Sequence, residues 1–540
     1  MKKTCLFLSL LLVVVMLSTA CGGPNNENAT QVQNSNSNGS NQQMNTTSHN
    51  TINLALSQVV ETLNPYDSAN IVDMQLYCQI YETLFFVNDS GDLEPRIAES
   101  YDILPDGVTY IIHLRDDVKF HNGKLLTSED VAWSLNFELK TGPYTKKRIN
   151  LSDFESATVI DEYTVEVKSS TTSANFLTNI SLFGYILNKD AFLDAEADGM
   201  LGIEWVPFGT GPYMVSVYNP DSEIKLESFS DYYRGQARID KVNFQVLSDS
   251  NTITVAFKSG ELDLIVVPTA SWKDFSTNSS YNTYLSPTNH TSFFHINIHN
   301  NDALSNKLVR QALSYAIDRE SMIIAAYDGI AQPAYSMFNP DNVLGGFTVE
   351  ELAADGIQPY EYNPEKAKEL LIEAGYGDGV DLGTIVTING SYWEKMSTIF
   401  QSNLRDIGVT VGVELADSAS CRARRKDHDY NLSTTGTNYS PDASYSYQYF
   451  RYLTDAQKVE GEYSELDVQN KELDDLFQKA MSEMDRDVRE ATWLEINRIL
   501  QDEMYSIPTF YKSIPYAYQK DLVCEEINTN YYYIYNFYWN

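Results

Sequence analysis

The sequence predicts a mixed α/β protein of two or more lobes, and three observations lead there. The chain has 540 residues, far beyond the size at which one hydrophobic core keeps growing. Apolar residues make up 43% of it, enough to fill more than one core. From Thr51 onward, runs with a two-residue hydrophobic period alternate with runs of helical period, and no repeat of fixed length appears.

The elements follow in order. TINLALS alternates as a strand, and ETLNPYD after it carries an Asn-Pro turn. GVTYIIHLRDDVKFHNG reads as two extended runs parted by charged turn residues. LLTSEDVAWSLNFELK reads as a helix with Thr127 or Ser128 as N-cap and acids in its first turn. SATVIDEYTVEVKSS and GTGPYMVSVYNPDSEIKLESF have the period of hairpins. In SNKLVRQALSYAIDRESMIIAAYDG, Leu308, Ala312, Leu313, Ala316 and Ile317 form an apolar stripe that Gly329 ends, with Arg310, Asp318 and Arg319 expected in ion pairs. NPEKAKELLIEAGYGDG sets Pro364 in a first helical turn and Gly375 at the stop. WEKMSTIFQSNLRDIG leads as a helix into the strand VTVGVEL, and residues 470–504 read as a helical hairpin broken near 484–487.

Charge excludes one class of partner. Lys and Arg total 38 against 74 acids, a formal charge of −36, whereas nucleic acid needs a basic surface to meet its phosphates. Anionic lipid is disfavoured for the same reason. Such acidity suits a protein kept soluble by self-repulsion outside the cell.

Catalytic signatures are missing from the sequence. It has no G-x-S-x-G elbow, no H-E-x-x-H and no compact Cys/His nucleophile. GTGPY uses Gly209 and Gly211 for a turn and close backbone approach, and without a following lysine it is no phosphate loop. Asp194, Glu196, Asp198 and Gly199 start like a calcium loop, but Glu204 falls at the eleventh position where the twelfth needs the acid. His295 and His299 share one side of an expected strand, yet four strand residues span roughly 13 Å, too far for one ion, so a strand-surface role is expected.

The first 50 residues read as export and anchoring. Lys2 and Lys3 precede an apolar run over 5–17 and then LSTACGG, the outline of a signal peptide over 1–20. Cys21 and its surroundings resemble a bacterial lipobox, with Leu17 one place further out than usual, which implies a lipidated cysteine; ordinary secretory cleavage nearby is the alternative. Residues 21–50 then form a polar tether with almost nothing to bury. Cys78, Cys421 and Cys524 remain, an odd number without metal or redox spacing, expected as isolated thiols.

Five segments, in order, resemble those of the family 5 extracellular solute-binding proteins, the peptide, dipeptide and nickel receptors of ABC importers. They are LEPRIAESYDILPDGVTYIIHLRDDVKFHNGKLLTSEDVAWSL, GTGPYMVSVYNPDSEIKLESFSDYYRGQARIDKVNFQV, FKSGELDLI, LVRQALSYAIDRESMI with YNPEKAKELLIEAGY, and the closing helical hairpin before IPTFY. The resemblance implies a periplasmic-binding-protein-like fold of type II, of the large cluster C kind, with an extra subdomain inserted in lobe I. Lobe I would comprise 51–82, 206–290 and 511–540, the inserted subdomain 83–205, and lobe II 291–510. It further implies a monomeric receptor without cofactor or enzymatic activity. Such a receptor captures peptides between its lobes and delivers them to a permease served by a separate ATPase, on the outer face of the cytoplasmic membrane.

The ligand site is expected in TTGTNYSPDASYSYQYF, residues 434–450, where Asp442 is the one charge. Peptide-binding members carry a Trp and then an Asp here, and the Asp pairs with the peptide's ammonium. In this sequence Gly436 matches the glycine before that Trp and Thr437 takes the Trp position. The Asp position falls on Ser440 by ungapped counting, or on Asn438 by local alignment, and Asp442 either matches a later acid or caps a helix from Ala443. Thr435, Gly436, Thr437, Asn438, Tyr439 and Ser440 are therefore the candidate ligand residues, with Tyr445 and Tyr447 as pocket walls. Arg425 matches an arginine that some members place on a peptide carboxylate. A buried ammonium without a counter-ion is costly, so either another acid supplies the charge or the ligand presents something else. A carbohydrate, or a signalling or adhesive role uncoupled from transport, are the alternatives.

Overall fold

The computed structural model describes residues 50–540 except 69, 89–90, 142–152, 203–204, 342, 439–441, 526 and 528–531. The expected signal peptide, Cys21 and the expected tether up to residue 49 lie outside the described residues. Within them, Ile52, Leu54 and Leu56 alternate inward along the strand Thr51–Leu56, as the two-residue period requires. The same logic produces two antiparallel hairpins, Phe154–Asp161 with Thr164–Ser169 and Tyr213–Asn219 with Glu223–Ser228.

Eleven of the described strands join one sheet. In space it runs Val409–Ala416, Val380–Ile388, Leu432–Asn438, Tyr281–Ile296, Ser506–Gln519, Leu264–Val266, Thr51–Leu56, Lys241–Val246, Glu223–Ser228, Tyr213–Asn219, with Ala331–Pro333 beside Ser506–Gln519. Tyr281–Ile296 and Ser506–Gln519 are 16 and 14 residues long, whereas about 5–6 is usual. Their length lets them pair with each other while one end of the pair enters each lobe.

The first lobe packs on Ile52, Leu54, Tyr77, Ile224 and Phe244. The second lobe packs both faces of its sheet: Phe294, with Ile385, Phe400 and Phe510, fills one side, and its neighbour Phe293, with Phe477 and Trp493, fills the other. Adjacent strand residues point to opposite faces, so this one pair seeds both layers. A separate four-stranded antiparallel sheet, in the order Ala98–Ile103, Thr109–Leu114, Thr164–Ser169, Phe154–Asp161, has its own core around Ile112, Leu135 and Val165.

Helix punctuation follows the sequence in most places. Asn363 caps the helix Pro364–Glu373, and Gly375 takes φ 90° beyond its end. The closing hairpin is Lys471–Ser482 and Arg486–Glu503, with Asp485 capping the second helix. The stripe expected as one helix before Gly329 is instead two, Lys307–Ala316 and Arg319–Tyr327. Asp318 causes the break, because its carboxylate accepts from the Ser321 N–H as an N-cap and is not in an ion pair.

Arg310 meets Glu503 at 2.9 Å, the ion pair expected. Arg319 departs from expectation: fully enclosed, it donates to the carbonyls of Ala334, Pro508, Ser314 and Tyr360 and has no carboxylate partner among the described residues. Four carbonyl dipoles replace the missing acid, and burial lowers its pKa only to about 10, so it stays charged. His295 is buried rather than on a strand surface, and His299 lies past the strand's end. Asp194 and Glu196 sit in the helix Lys189–Ala197, which cannot wrap an ion as a loop does. Cys78, Cys421 and Cys524 are free thiols.

The turn GTGPY presses on the end of the helix Ile71–Ile80. A Cβ at Gly209 would stand 2.0 Å from the Ile80 carbonyl oxygen, and one at Gly211 would stand 2.5 Å from that of Gln79. Backbone cannot yield as a side-chain tip can. Gly209→Ala is therefore expected to destabilise the fold by about 2 kcal/mol, read as a lower urea midpoint; an unchanged midpoint would refute the contact.

Candidate functional site

The candidate site forms where three strands lie side by side at the junction of the lobes. Leu432–Asn438 pairs with one edge of Tyr281–Ile296, and Ser506–Gln519 pairs with the other. Between the pairs Pro287↔Ser513 and Thr291↔Tyr511 the middle strand takes four steps against its partner's two. The surplus residues bulge, which re-aims the side chains there. The bulge is pinned, since Thr288 Oγ1 donates to the Lys512 carbonyl at 2.8 Å and Asn339 Nδ2 donates to the Thr288 carbonyl at 2.6 Å.

His290 leaves this bulge opposite Asn438, its Nδ1 2.9 Å from Asn438 Oδ1. An amide oxygen only accepts, so Nδ1 carries the proton and Nε2 is a bare lone pair. Nε2 is sealed from solvent without a hydrogen bond. The ring fits only because residue 436 is glycine: a Cβ there would stand 2.6 Å from both His290 Nε2 and Trp393 Cη2. Burial, helped by the Lys512 charge, depresses the His290 pKa to about 3 and keeps the ring neutral.

Lys512 sits across the bulge. Its Nζ lies 4.3 Å from the centre of the Tyr392 ring and 5.6 Å from that of Tyr327. Among the described residues no carboxylate lies within 4.0 Å of it. Tyr392 and Trp393 open the helix Tyr392–Asp406, their rings 4.4 Å apart, and Trp393 continues the wall towards His290. Burial pulls the Lys512 amine down to about 8. Cation–π contact offsets part of the desolvation that a buried charge suffers, but it does not neutralise that charge.

The expected ligand residues divide between the faces of the strand. Gly436 and Asn438 lie on the side of His290 and Trp393, and Asn438 is exposed at the strand's end. Thr435 is half-buried and Thr437 buried on the intervening positions, so their side chains point to the other face. Tyr439 and Ser440 lie outside the described residues. Asp442 is buried and caps the short turn Ala443–Ser446, accepting from the Ser444 N–H at 2.6 Å. Burial raises its pKa, with Ser444 and the Arg489 charge opposing.

The outlying candidates are engaged within the fold. Arg425 Nε meets Glu465 Oε1 at 2.6 Å, and His295, bonded to Ser506 Oγ at 2.7 Å, approaches the same carboxylate at 3.9 Å. Arg425 therefore has its charge answered inside the protein. Tyr447 donates to Asp474 Oδ1 at 2.8 Å and packs on Phe477, while Tyr445 packs against the core around Trp493. Nearby, Asn175 Nδ2 donates to Ser444 Oγ at 3.3 Å and the Ala174 N–H donates to the Met481 carbonyl at 2.8 Å. These two bonds tie residues 174 and 175 to the second lobe.

Sequence reasoning missed His290, Tyr327, Tyr392, Trp393 and Lys512. One signal was available: Lys512 is the one charge in SIPTFYKSIPYAYQ, a run otherwise apolar and aromatic. An amine whose folded pKa lies below its unfolded value weakens the fold while it stays charged, and that cost shrinks as pH rises past about 8. Lys512→Met is thus expected to stabilise the empty protein at pH 7, on the order of 1 kcal/mol, and by less at pH 9.5. Urea melts of both proteins at the two pH values check this, and a loss of stability at pH 7 would contradict it.

Residues 92–458 match the family model of the bacterial extracellular solute-binding proteins, family 5 Middle. The glutathione-binding protein GsiB of Pectobacterium atrosepticum is 29% identical over 369 residues, 68% of this chain and 69% of that protein. Heme-binding protein A of Haemophilus influenzae is 27% identical over 402 residues, 69% and 71% of the two chains. Among solved structures, the ABC transporter substrate-binding protein CtaP of Listeria monocytogenes superposes with a TM-score of 0.77 at 27% identity, covering 91% of this chain and 99% of its own. The two-lobed α/β architecture, the long strands shared between lobes and a matched span of two thirds of the sequence agree: the chain belongs to the family 5 bacterial extracellular solute-binding proteins, which act as receptors for ABC transporters and not as enzymes.

Proposed function

We propose that this protein is the peptide receptor of an ABC importer, closing its two lobes on a dipeptide or short oligopeptide and delivering it to a membrane permease driven by a separate ATPase. In this reading lobe I comprises 51–82, 206–290 and 511–540, the inserted subdomain 83–205, and lobe II 291–510. The 290/291 and 510/511 boundaries then fall inside the two long strands, which makes those strands the hinge. Residues 1–20 direct export, a lipid on Cys21 holds the monomer to the outer face of the membrane, and the remainder of 21–50 is the tether.

The observation that carries the peptide reading is the mixed chemistry at the lobe junction. Flat rings from Tyr327, Tyr392 and Trp393 flank an uncompensated amine and an exposed amide. Rings accept varied side chains, and the polar groups fix backbone atoms. A neutral sugar would leave Lys512 unanswered, so the charge favours a zwitterionic solute over a carbohydrate. GsiB is named for glutathione, a tripeptide, and supports the same reading.

Native mass spectrometry of the full-length protein in detergent tests this. A peptide retained at one per monomer and released on denaturation is the expected result. A retained sugar, or a receptor that neither retains nor takes up peptide, would overturn the assignment.

A further inference from the structure

Lys512 is a half-buried cation that no carboxylate answers within 4.0 Å among the described residues. The acids nearest in sequence to its neighbours are otherwise engaged: Asp328, beside Tyr327, accepts from Thr269 Oγ1 at 2.6 Å, and Glu394, beside Trp393, accepts from the Gly390 N–H at 2.8 Å. The helix Tyr392–Asp406 begins at the ring under Lys512, and its N-cap Ser391 makes no side-chain capping bond. Its positive end adds to the charge of the amine rather than offsetting it. Arg425, Arg310 and Lys307 each meet a carboxylate within 2.9 Å, so Lys512 differs from them in lacking one.

Asn438 points to the same ligand chemistry independently. Its Oδ1 faces the Nδ1 of His290. The reverse orientation would put the ring proton on Nε2, where the close approach of Gly436 and Trp393 would bury an N–H without an acceptor. With Oδ1 so occupied, the exposed end of Asn438 offers Nδ2, a donor. An ammonium has nothing to gain from a donor; an oxygen does.

We infer that the receptor holds its ligand by the acid end: a peptide carboxylate seats on Lys512 Nζ between the rings of Tyr327 and Tyr392, and Asn438 Nδ2 donates to a carbonyl oxygen of the same ligand. This rests on the peptide-receptor reading and reverses the polarity expected at position 438. His290 is a positioning residue, since it fixes which end of the Asn438 amide faces outward. Lys512 and Asn438 stand on the two strands that flank the bulge, about 10 Å apart at the backbone. Side chains converging over the middle strand bring their polar ends within the span of one or two peptide residues.

The test compares two probes on the full-length protein in detergent: a pool of random tripeptides with free C-terminal carboxylates, and the same pool amidated. Occupancy is read by native mass spectrometry and affinity by competition. The free-acid pool is expected to bind at least tenfold more tightly than the amidated pool. Lys512→Met is expected to abolish that difference while keeping a cooperative urea transition. Asn438→Asp, which would tighten an ammonium, is expected to weaken the free-acid pool. Equal binding of the two pools, or an unchanged acid preference in Lys512→Met, would overturn the inference and leave the receptor reading standing. Tighter binding by Asn438→Asp would restore the ammonium mode. Binding of neither pool would overturn the peptide reading and this assignment with it.

Discussion

The pairing of Tyr281–Ile296 with Ser506–Gln519 sets His290 and Lys512 against each other and so fixes the centre of the candidate site. Side chains alternate along a strand, so a slip of Ser506–Gln519 by one residue would move Lys512 to the opposite face, and a slip of Tyr281–Ile296 would exchange Phe293 with Phe294 between the two core layers. The first would bury a charge among apolar rings and the second would unpack both layers. The bulge is what makes the register compatible with the site. It absorbs the surplus of one strand over the other and turns His290 toward Gly436 and Asn438.

Charge is distributed unevenly in consequence. The chain as a whole carries −36, yet the face at the lobe junction presents a positive amine and amide hydrogens. A ligand bearing a carboxylate must approach through a repulsive field before it meets an attractive site. Electrostatic steering then works against encounter, so added salt should speed association even as it leaves the sheltered contact largely unscreened.

The sequence revealed the architecture wherever a local rule was strong enough to survive packing. Period-two alternation marked Thr51–Leu56, and Pro364 and Gly375 marked their helix. The close backbone approach at GTGPY was legible because glycines spaced by one residue before a proline have few other uses, although the helix end it meets was not. For two arginines the deciding partner is distant in sequence. Arg319 is satisfied by carbonyls of residues 334, 360 and 508, which no local pattern encodes. Arg425 finds Glu465, forty residues on. The candidate site was only half legible for the same reason. The neutral stretch at 434–450 pointed to Gly436 and Asn438, but their companions His290, Trp393 and Lys512 arrive from other strands and a helix, brought together by a bulge.

Lys512 also bears on how the receptor behaves between transport cycles. A half-buried amine with no carboxylate partner among the described residues is a defect in the empty molecule, and a bound acid removes it. Part of the free energy of binding is therefore relief of a fault already present in the fold. The loaded receptor is more stable than ordinary contact formation alone would make it, and the empty one less so. Occupancy thereby becomes a property of the whole fold, since the filled molecule is the more stable of the two.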